Sequence, residues 1–417
     1  MNIGIFTYGS RGDVQPFIAL AITLKQRGHT ILLGAPANFQ QTIQDCEIDY
    51  HKIDGDLEKL MYEPEIQNLL ETGNTIAFIK GLQKNADKNS KQVAEDLMNG
   101  CNKVDFIITT FIPLFYVASI AEKLNKPFVN IILNPPTTPT KEFPYPEFDF
   151  LNFPAYNYFT YKVLNFFIWQ AYKKRINTYR NEIGLPNCGK SLQKIMEENA
   201  VPTIYALSES LITKPKDWAL NYKITGFLYL SQEVNKTEGI LETWLNKGEK
   251  PIYIGFGSIP IPKKLLKIIP EILASTSERI ILCKGWSTID GLPENKNLFI
   301  IDKVDHQWLF PKCKVAIFHG GAGTLAAVIK SKLPVIIISI FVDQPIWGKI
   351  IEYKKLGIHI PAKKITTEKL ISAIQKSQTD EIKNNVSSIG QAIKNENGLD
   401  NAIQEIEKYF NDKQKYV

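Results

Sequence analysis

The sequence predicts an α/β protein made of two Rossmann-like domains, each with a parallel sheet between helices. A chain of 417 residues is too long for one ordinary core and fits two domains of about 200 residues. The N-terminal half opens with strands at 2–8 and 30–33, joined by a helix. The C-terminal half repeats this order with strands at 315–318 and 334–341 around a helix that begins at Thr324. Strands that alternate with helices indicate βαβ units and a parallel sheet.

Composition and charge argue against several classes of protein. The net charge, +6 from 49 basic and 43 acidic residues, is spread along the chain and gives no support to nucleic acid binding. No apolar run approaches the ~20 residues needed to span a bilayer, and Met1 leads directly into a strand without a signal peptide. The cysteines are far apart, without a C-x-x-C pair, so neither a zinc site nor a disulfide framework is predicted. We therefore expect a cytoplasmic protein with reduced thiols at Cys46, Cys101, Cys188, Cys283 and Cys313.

The loop after the first strand reads GSRGDVQP from Gly9 to Pro16. A dinucleotide-binding protein would need G-x-G-x-x-G here and an acidic residue at the end of the second strand, where the chain has LGAP from Leu33. Dinucleotide binding is therefore not predicted. The loop instead presents a carboxylate, Asp13, and a guanidinium, Arg11, at the carboxyl end of a strand, where ligands of parallel sheets bind.

Two motifs in this half match binding signatures without the structural context that those signatures need. Asp54-Gly55-Asp56 imitates a metal-binding D-x-D motif but lies in a polar turn. The run GLPNCGKS from Gly184 to Ser191 satisfies the P-loop pattern, yet a charged helix precedes it where a P-loop follows a buried strand. We predict neither a metal site nor hydrolysis of ATP or GTP.

An aromatic segment lies between these motifs. Residues 148–172 are rich in Phe and Tyr and include Trp169, and EFPYP precedes them from Glu142. Because loops are normally polar, such a segment is either a core helix or the wall of an apolar pocket. The residues themselves leave both interpretations open.

The C-terminal half carries the strongest signal for a ligand. The run FHGGAGT from Phe318 to Thr324 takes a buried strand through a glycine turn into a helix, which directs backbone N–H groups and the positive end of the helix dipole to one point. This arrangement suits a diphosphate. Asp343 and Gln344 follow the next strand, and Ser258 follows the strand that starts at Pro251. The pattern predicts one loop for the diphosphate and the next for sugar hydroxyls.

The tail has one apolar helical face and needs a partner surface. The residues on this face are Leu399, Ala402, Ile403, Ile406 and Phe410.

HGGAGT followed by Asp343-Gln344, together with GSRGDVQP, resembles the nucleotide-sugar-dependent glycosyltransferases of the GT-B fold, specifically the sterol glucosyltransferase branch. The resemblance covers most of the chain and is weakest at 61–100 and in the tail. It implies two Rossmann-like domains that face each other across a cleft. Residues 1–230 would bind the acceptor, 237–396 would bind the donor, and a helix at 397–417 would pack back toward the first domain.

The function that the resemblance implies is that of a UDP-dependent hexosyltransferase. Glucose from UDP-glucose would pass with inversion to a hydroxyl of an apolar acceptor, a sterol or sterol-like lipid, and peripheral contact with a membrane surface is compatible with such an acceptor. No metal and no other cofactor is expected; whether the nucleotide is UDP or TDP stays open. The implied donor-binding residues are Ser10, Arg11, Ser258, Val304, His306, His319, Ala322, Gly323, Thr324, Asp343 and Gln344.

Asp13 is the candidate catalytic base, because the first loop contains no histidine. An exposed aspartate with a pKa of about 3.9 is a weak base, so burial would have to raise that pKa, while Arg11 would lower it. Two alternatives stay open. One is transfer to another flat aglycone such as a polyketide, carotenoid or phenolic, and the other is a non-catalytic protein that binds a nucleotide sugar or a lipid.

The chain departs from the family pattern at two positions. Many relatives have histidine where this chain has Phe318, so one polar contact is expected to be lost there. Val342 stands where relatives often have glycine, and its branched side chain is expected to narrow the sugar pocket.

Overall fold

The computed structural model describes residues 1–72, 75–229, 239–289, 291–341 and 343–414. The chain divides into two compact units, each a parallel α/β structure, which confirms the predicted fold class. The second unit comprises Glu58–Lys84 and Ser231–Glu396. The first unit comprises Met1–Leu57, Asn85–Leu230 and Asn397–Val417.

In the described part of the first unit, seven parallel strands form one sheet in the order β3-β2-β1-β4-β5-β6-β7. Beside β1, strand β4 is fully buried and β2 is buried except at Thr30 and Leu32, as expected for a sheet covered on both faces. The strands are β1 (Asn2–Phe6), β2 (Thr30–Pro36), β3 (Asp49–Ile53), β4 (Phe106–Thr109), β5 (Phe128–Ile132), β6 (Thr203–Tyr205) and β7 (Tyr222–Ile224).

The helices of the N-terminal half alternate with these strands. They are α1 (Arg11–Gln26), α2 (Gln40–Gln44), α3 (Leu57–Tyr62), α4 (Pro64–Thr72), α5 (Thr75–Asn102), α6 (Leu114–Leu124), α7 (Pro154–Glu182) and α8 (Leu192–Glu198).

The second sheet, over the residues described, has six parallel strands in the order β10-β9-β8-β11-β12-β13. Its central strands are runs of Val and Ile that are buried along their whole length. The strands are β8 (Ile252–Gly255), β9 (Ile280–Cys283), β10 (Leu298–Ile301), β11 (Val315–Phe318), β12 (Val335–Ser339) and β13 (Gly357–Pro361).

The remaining helices lie in the C-terminal half. They are α9 (Ile240–Leu245), α10 (Lys263–Ser275), α11 (His306–Leu309), α12 (Ala322–Lys330), α13 (Gln344–Tyr353), α14 (Thr367–Ser377), α15 (Asp380–Lys394) and α16 (Gly398–Gln414).

Helix α16 belongs to the core of the first unit, although it follows the second unit in sequence. Ala402, Ile403, Ile406 and Phe410 are fully buried there, and Leu399 is partly buried. The rings of Phe410 and Phe106 lie 4.5 Å apart. Arg27 holds the polar side of the helix through Asp400 at 2.7 Å and Glu407 at 3.2 Å.

One segment departs from the predicted domain boundaries. Glu58–Lys84 lies within the predicted first domain, 1–230, but the structure assigns it to the second unit. The ring of Phe78, in this segment, packs on Phe341 with centroids 4.3 Å apart. The acceptor and donor roles of the two domains stay predictions. The predicted boundary at 229–236 lies mostly outside the described residues, and Val342 lies wholly outside them.

Helix α7 contains most of the aromatic segment, for which a core helix and the wall of an apolar pocket were both left open. One of its faces packs in the core, where Ile176 and Tyr179 are buried and Tyr172 stacks on Phe115 with centroids 3.7 Å apart. The opposite face exposes several large aromatic side chains to solvent. The segment is a core helix along one side only.

The two motifs that imitate binding signatures have structural roles. The run from Gly184 to Ser191 joins α7 to α8, and Lys190 pairs with Glu198 at 2.7 Å. In the other motif, the Asp54 N–H donates to the Asp96 carboxylate at 2.8 Å. Of the helices in the described ranges, none is long and apolar enough to cross a membrane.

The burial of Phe410 leads to a prediction about stability. Phe410→Ala removes a fully buried ring from the first unit, so we expect a loss of about 3–5 kcal/mol in the free energy of unfolding. Urea denaturation followed by circular dichroism measures this change. Lys408→Ala, at an exposed position of the same helix, is the control and should stay within about 0.5 kcal/mol. A loss below about 1 kcal/mol for Phe410→Ala would contradict the packing of α16.

Candidate functional site

Each sheet has one point at which the strand order reverses. In the first sheet, β1 lies between β2 and β4, so the connections after β1 and after β4 run in opposite directions. In the second sheet, β8 holds the equivalent position between β9 and β11. Such a reversal opens a crevice beyond the carboxyl ends of the two strands, and ligands of open α/β sheets bind there. The loops after β1, β8 and β11 therefore carry the candidate site residues.

Asp13 lies at the reversal point of the first sheet, in the first turn of α1. The Ser10 N–H and the Ser10 hydroxyl both donate to Asp13 Oδ2, at 2.7 and 3.0 Å. The bond from the N–H is that of a capping box, and the two bonds together fix the carboxylate at the start of the helix. The Thr7 hydroxyl donates to the Asp13 carbonyl at 2.8 Å. Because both side-chain bonds in the structure end on Oδ2, Oδ1 is the oxygen available to a ligand.

Burial raises the pKa of the Asp13 carboxyl, and the two hydrogen bonds from Ser10 oppose that rise. The direction is the one that a general base needs. Arg11, expected to lower this pKa, is exposed and donates through Nε to Gln15 at 3.1 Å. Burial and Ser10 shift the pKa of Asp13, and the lowering expected from Arg11 is not found.

Gly9 is required by this loop. Its φ is +143°, in the region that favours glycine, and a Cβ would collide with the Asp13 carboxylate. Sequence reasoning missed the roles of Gly9 and Thr7. The spacing T-x-G-S before a helix could have indicated these roles. It does so only once the Asp13 side chain is known to point back toward Gly9 and Ser10.

The glycine turn lies at the reversal point of the second sheet. Gly320 has a φ of +100°, and Gly321 is the N-cap of α12 without any side-chain cap. The helix begins at Ala322, two residues before the predicted start at Thr324, so Ala322, Gly323 and Thr324 form its first turn. The N–H groups of a first turn have no acceptor within the helix. These donors, at the positive end of the helix dipole, suit an anion.

His319 lies beside these donors. A Cβ on Gly321 would collide with His319 Nε2, which places the imidazole over the helix start. Within the described ranges, Nδ1 is buried and has no hydrogen-bond partner. Burial lowers the pKa of His319 from 6.5 to about 4, so the ring is neutral at pH 7 and donates through one nitrogen only. A buried polar atom without a partner is costly and often marks a binding position.

Gln344 lies against the glycine turn, because a Cβ on Gly320 would touch the Gln344 backbone and Cβ. Its Oε1 accepts the N–H groups of Ile340 at 2.8 Å and Phe341 at 3.3 Å. The side chain therefore closes the loop after β12, and its amide NH₂ is the group available to a sugar. Asp343 is the N-cap of α13, and its Oδ2 accepts the Trp347 indole N–H at 3.2 Å.

Ser258 lies in the loop after β8, which belongs to the same reversal point. Gly257, with a φ of +58°, accepts the Trp286 N–H at 3.0 Å and thereby joins this loop to the one after β9. The Phe256 ring centroid lies 6.0 Å from that of His319. Sequence reasoning overlooked Phe256, which supports the buried side of the imidazole.

Val304 and His306 lie between β10 and α11. The His306 ring stacks on Phe310 with centroids 4.4 Å apart, and its Nε2 is 3.2 Å from the Tyr253 hydroxyl. His306 is thus held by the protein interior on one face. The structure brings Ser258, His319 and the first turn of α12 to one reversal point. The binding roles of these residues stay predictions, as do those of Val304 and His306.

Comparison with known proteins identifies the family to which the chain belongs. The glycosyltransferase family 28 N-terminal domain matches residues 3–143, and the erythromycin biosynthesis protein CIII-like C-terminal domain matches residues 271–410. Two sterol 3-beta-glucosyltransferases of Arabidopsis thaliana are 32% and 31% identical to the chain over 98% of its length. The chain belongs to the sterol 3-beta-glucosyltransferase family. It covers 66% and 68% of the length of these two relatives, so it spans about two thirds of them.

The fold of this glycosyltransferase family member is shared with solved structures. The glycosyltransferase of kitacinnamycin has a TM-score of 0.72 at 14% sequence identity, covering 97% of this chain and 98% of its own. Such a likeness identifies the GT-B fold, and the predicted family and fold are both confirmed.

The lowered pKa of His319 gives this glycosyltransferase family member a testable dependence of stability on pH. In the folded state the imidazole binds a proton only near pH 4, whereas in the unfolded chain it does so near 6.5. Stability is therefore complete above pH 6.5 and falls as the pH drops toward 4, by up to about 2 kcal/mol at pH 5.

His319→Gln removes this contribution. Urea denaturation of the variant and of the natural protein is measured at about pH 7.5, where the contribution is complete, and at about pH 5, where it is mostly lost. We expect the variant to lose less stability between the two values than the natural protein. Equal losses would contradict a lowered pKa for His319.

Proposed function

We propose that the chain is a UDP-sugar-dependent glycosyltransferase that moves glucose, with inversion, to the hydroxyl of a sterol or a sterol-like lipid. The observation that carries the proposal is the uncapped start of α12 beside the unpartnered Nδ1 of His319, at the reversal point of the second sheet. Its place in a family named for sterol 3-beta-glucosyltransferases supports the acceptor class.

The second unit has the groups that a nucleotide-sugar donor needs. The leaving group of the reaction is a diphosphate, and the N–H groups of Ala322, Gly323 and Thr324 can stabilise its growing negative charge. The neutral imidazole of His319 adds one more donor. The Gln344 amide and the Asp343 carboxylate offer a donor and an acceptor for sugar hydroxyls.

The first unit supplies the base in this proposal. Asp13 Oδ1 takes the proton of the acceptor hydroxyl, and the acceptor oxygen forms a bond to the anomeric carbon. The bond from that carbon to the diphosphate oxygen breaks at the same time, through an oxocarbenium-like state, and releases the nucleoside diphosphate. Attack from the face opposite the leaving group gives the inverted product. The raised pKa of Asp13 supports this role.

A transfer assay tests the function. The full chain is incubated with UDP-glucose, with or without a sterol, and both the released UDP and the glucosylated lipid are measured. We expect release that depends on the sterol and a β-linked product. Parallel reactions contain TDP-glucose or a phenolic aglycone. Saturable binding of UDP-glucose without transfer to any acceptor would contradict the proposal and favour a binding protein.

Asp13→Asn tests the base. The asparagine can still accept the Ser10 N–H, so the loop is expected to keep its form while the base is lost. We expect turnover to fall by about 10²–10⁴-fold and the affinity for UDP, measured by calorimetry, to change little. Asp105→Asn, at an exposed position of the same unit, is the matched control. Turnover within about tenfold of normal would show that Asp13 is not the base.

A further inference from the structure

In the first half of α7, two polar residues lie on the inward side beside the buried ring of Tyr161, and exposed aromatic residues lie on the outward side. The side chains of Asn157 and Thr160 face inward and are almost fully buried. Asn157 Nδ2 donates to the Lys141 carbonyl at 3.0 Å, and the Thr160 hydroxyl accepts the Tyr145 N–H at 2.9 Å. Further along, Asn165 Nδ2 donates to the Thr137 carbonyl at 2.9 Å. These bonds attach the helix rigidly to the loop before it.

The outward side of the same turns is aromatic. Phe159 is 61% exposed, Phe166 is 55% exposed and Phe167 is 64% exposed. A surface helix normally shows the opposite pattern, with apolar residues toward the core and polar residues toward water. Because the inward polar groups hold the orientation, the helix cannot turn over to bury these rings. Exposed aromatic side chains in such a group mark a surface that meets an apolar medium or a partner.

Lysines share this outward side. Phe159, Lys162 and Phe166 follow one another at spacings of three and four residues, which places them on one helical face, and Lys173 continues it one turn after Gln170. Lys174 is adjacent, and Lys162 Nζ lies 5.1 Å from the centre of the Tyr158 ring. We call this surface, made of Phe159, Lys162, Phe166, Phe167, Lys173 and Lys174, the outer face of α7.

We propose that the outer face of α7 docks on a bilayer that contains anionic lipids. The rings enter the boundary between headgroups and acyl chains, and the lysines contact lipid phosphates. Binding of such a surface to a membrane increases with the apolar area that it buries and with the attraction of its basic residues to anionic lipids. Phe150, Leu151 and Phe153, which are also exposed, lie in the segment immediately before the helix and add apolar surface.

The charges favour a membrane over a second copy of this chain. In a symmetric contact through the same face, Lys162, Lys173 and Lys174 would meet their own copies, and like charges repel. An anionic surface instead pairs with all three lysines. Docking on lipid needs no donor and no turnover, so vesicle binding and glycosyl transfer can succeed or fail independently.

Vesicle flotation tests the aromatic part of the surface. The full chain is mixed with vesicles of phosphatidylcholine alone or of phosphatidylcholine with phosphatidylserine. The triple variant Phe159→Ser, Phe166→Ser, Phe167→Ser should bind mixed vesicles about tenfold more weakly or worse. The control is Leu220→Ser, Ile240→Ser, Tyr353→Ser, which removes three even more exposed apolar side chains elsewhere and should bind like the natural chain.

A second pair of variants tests the charge. Lys162→Gln, Lys173→Gln, Lys174→Gln should lose about fivefold in affinity per lysine on mixed vesicles and nothing on phosphatidylcholine alone. Lys103→Gln, Lys376→Gln, Lys408→Gln lowers the net charge equally at exposed positions outside α7 and should have a much smaller effect.

Three outcomes would overturn the docking surface. The natural chain could fail to float with mixed vesicles, or the aromatic variant could bind as well as its control. Light scattering could instead find a dimer that the aromatic variant abolishes, in which case the outer face of α7 binds a second copy. Circular dichroism of each variant establishes that loss of binding is not loss of fold.

Discussion

The reversal of strand order in each sheet is the constraint on which the rest of the structure depends. Parallel strands need crossover helices, and where the crossovers change direction the loops part and leave strand ends and helix starts uncovered. In the first sheet this happens after β1, where Asp13 is held by Ser10, and in the second after β8 and β11, where the α12 start is uncapped. The remaining strands and helices hold these loops in place, and several of the candidate site residues lie in them.

The two loops solve opposite electrostatic problems. At the start of α1, a carboxylate satisfies the helix N-terminus from within the protein, so that end of the dipole is already neutralised. At the start of α12, a glycine replaces the capping side chain, and the neighbouring imidazole is neutral, so the donors keep their capacity for an anion from outside. A charged His319 would attract many anions, whereas a neutral ring with fixed N–H groups selects for shape as well as charge.

Much of the fold could be predicted from local patterns, because buried parallel strands and glycine turns leave clear marks in sequence. The motif from Phe318 to Thr324 located the loop after β11 at the second reversal point, although the helix start was placed two residues late. Other features depend on contacts that no local pattern encodes. The assignment of Glu58–Lys84 to the second unit rests on packing such as that of Phe78 on Phe341. The orientation that exposes the aromatic side of α7 depends on inward bonds of Asn157 and Thr160 to a loop whose path only the structure reveals.

Helix α16 gives the chain a particular order of assembly. Phe410 and its neighbours fill the core of the first unit, yet Ser231–Glu396 of the second unit separates them in sequence from the sheet that they cover. During translation the first sheet would leave the ribosome long before the side chains that complete its interior. A nascent chain would therefore hold an unfilled apolar groove until α16 is synthesised. Early termination of translation would leave that groove open, and quality-control chaperones could recognise it.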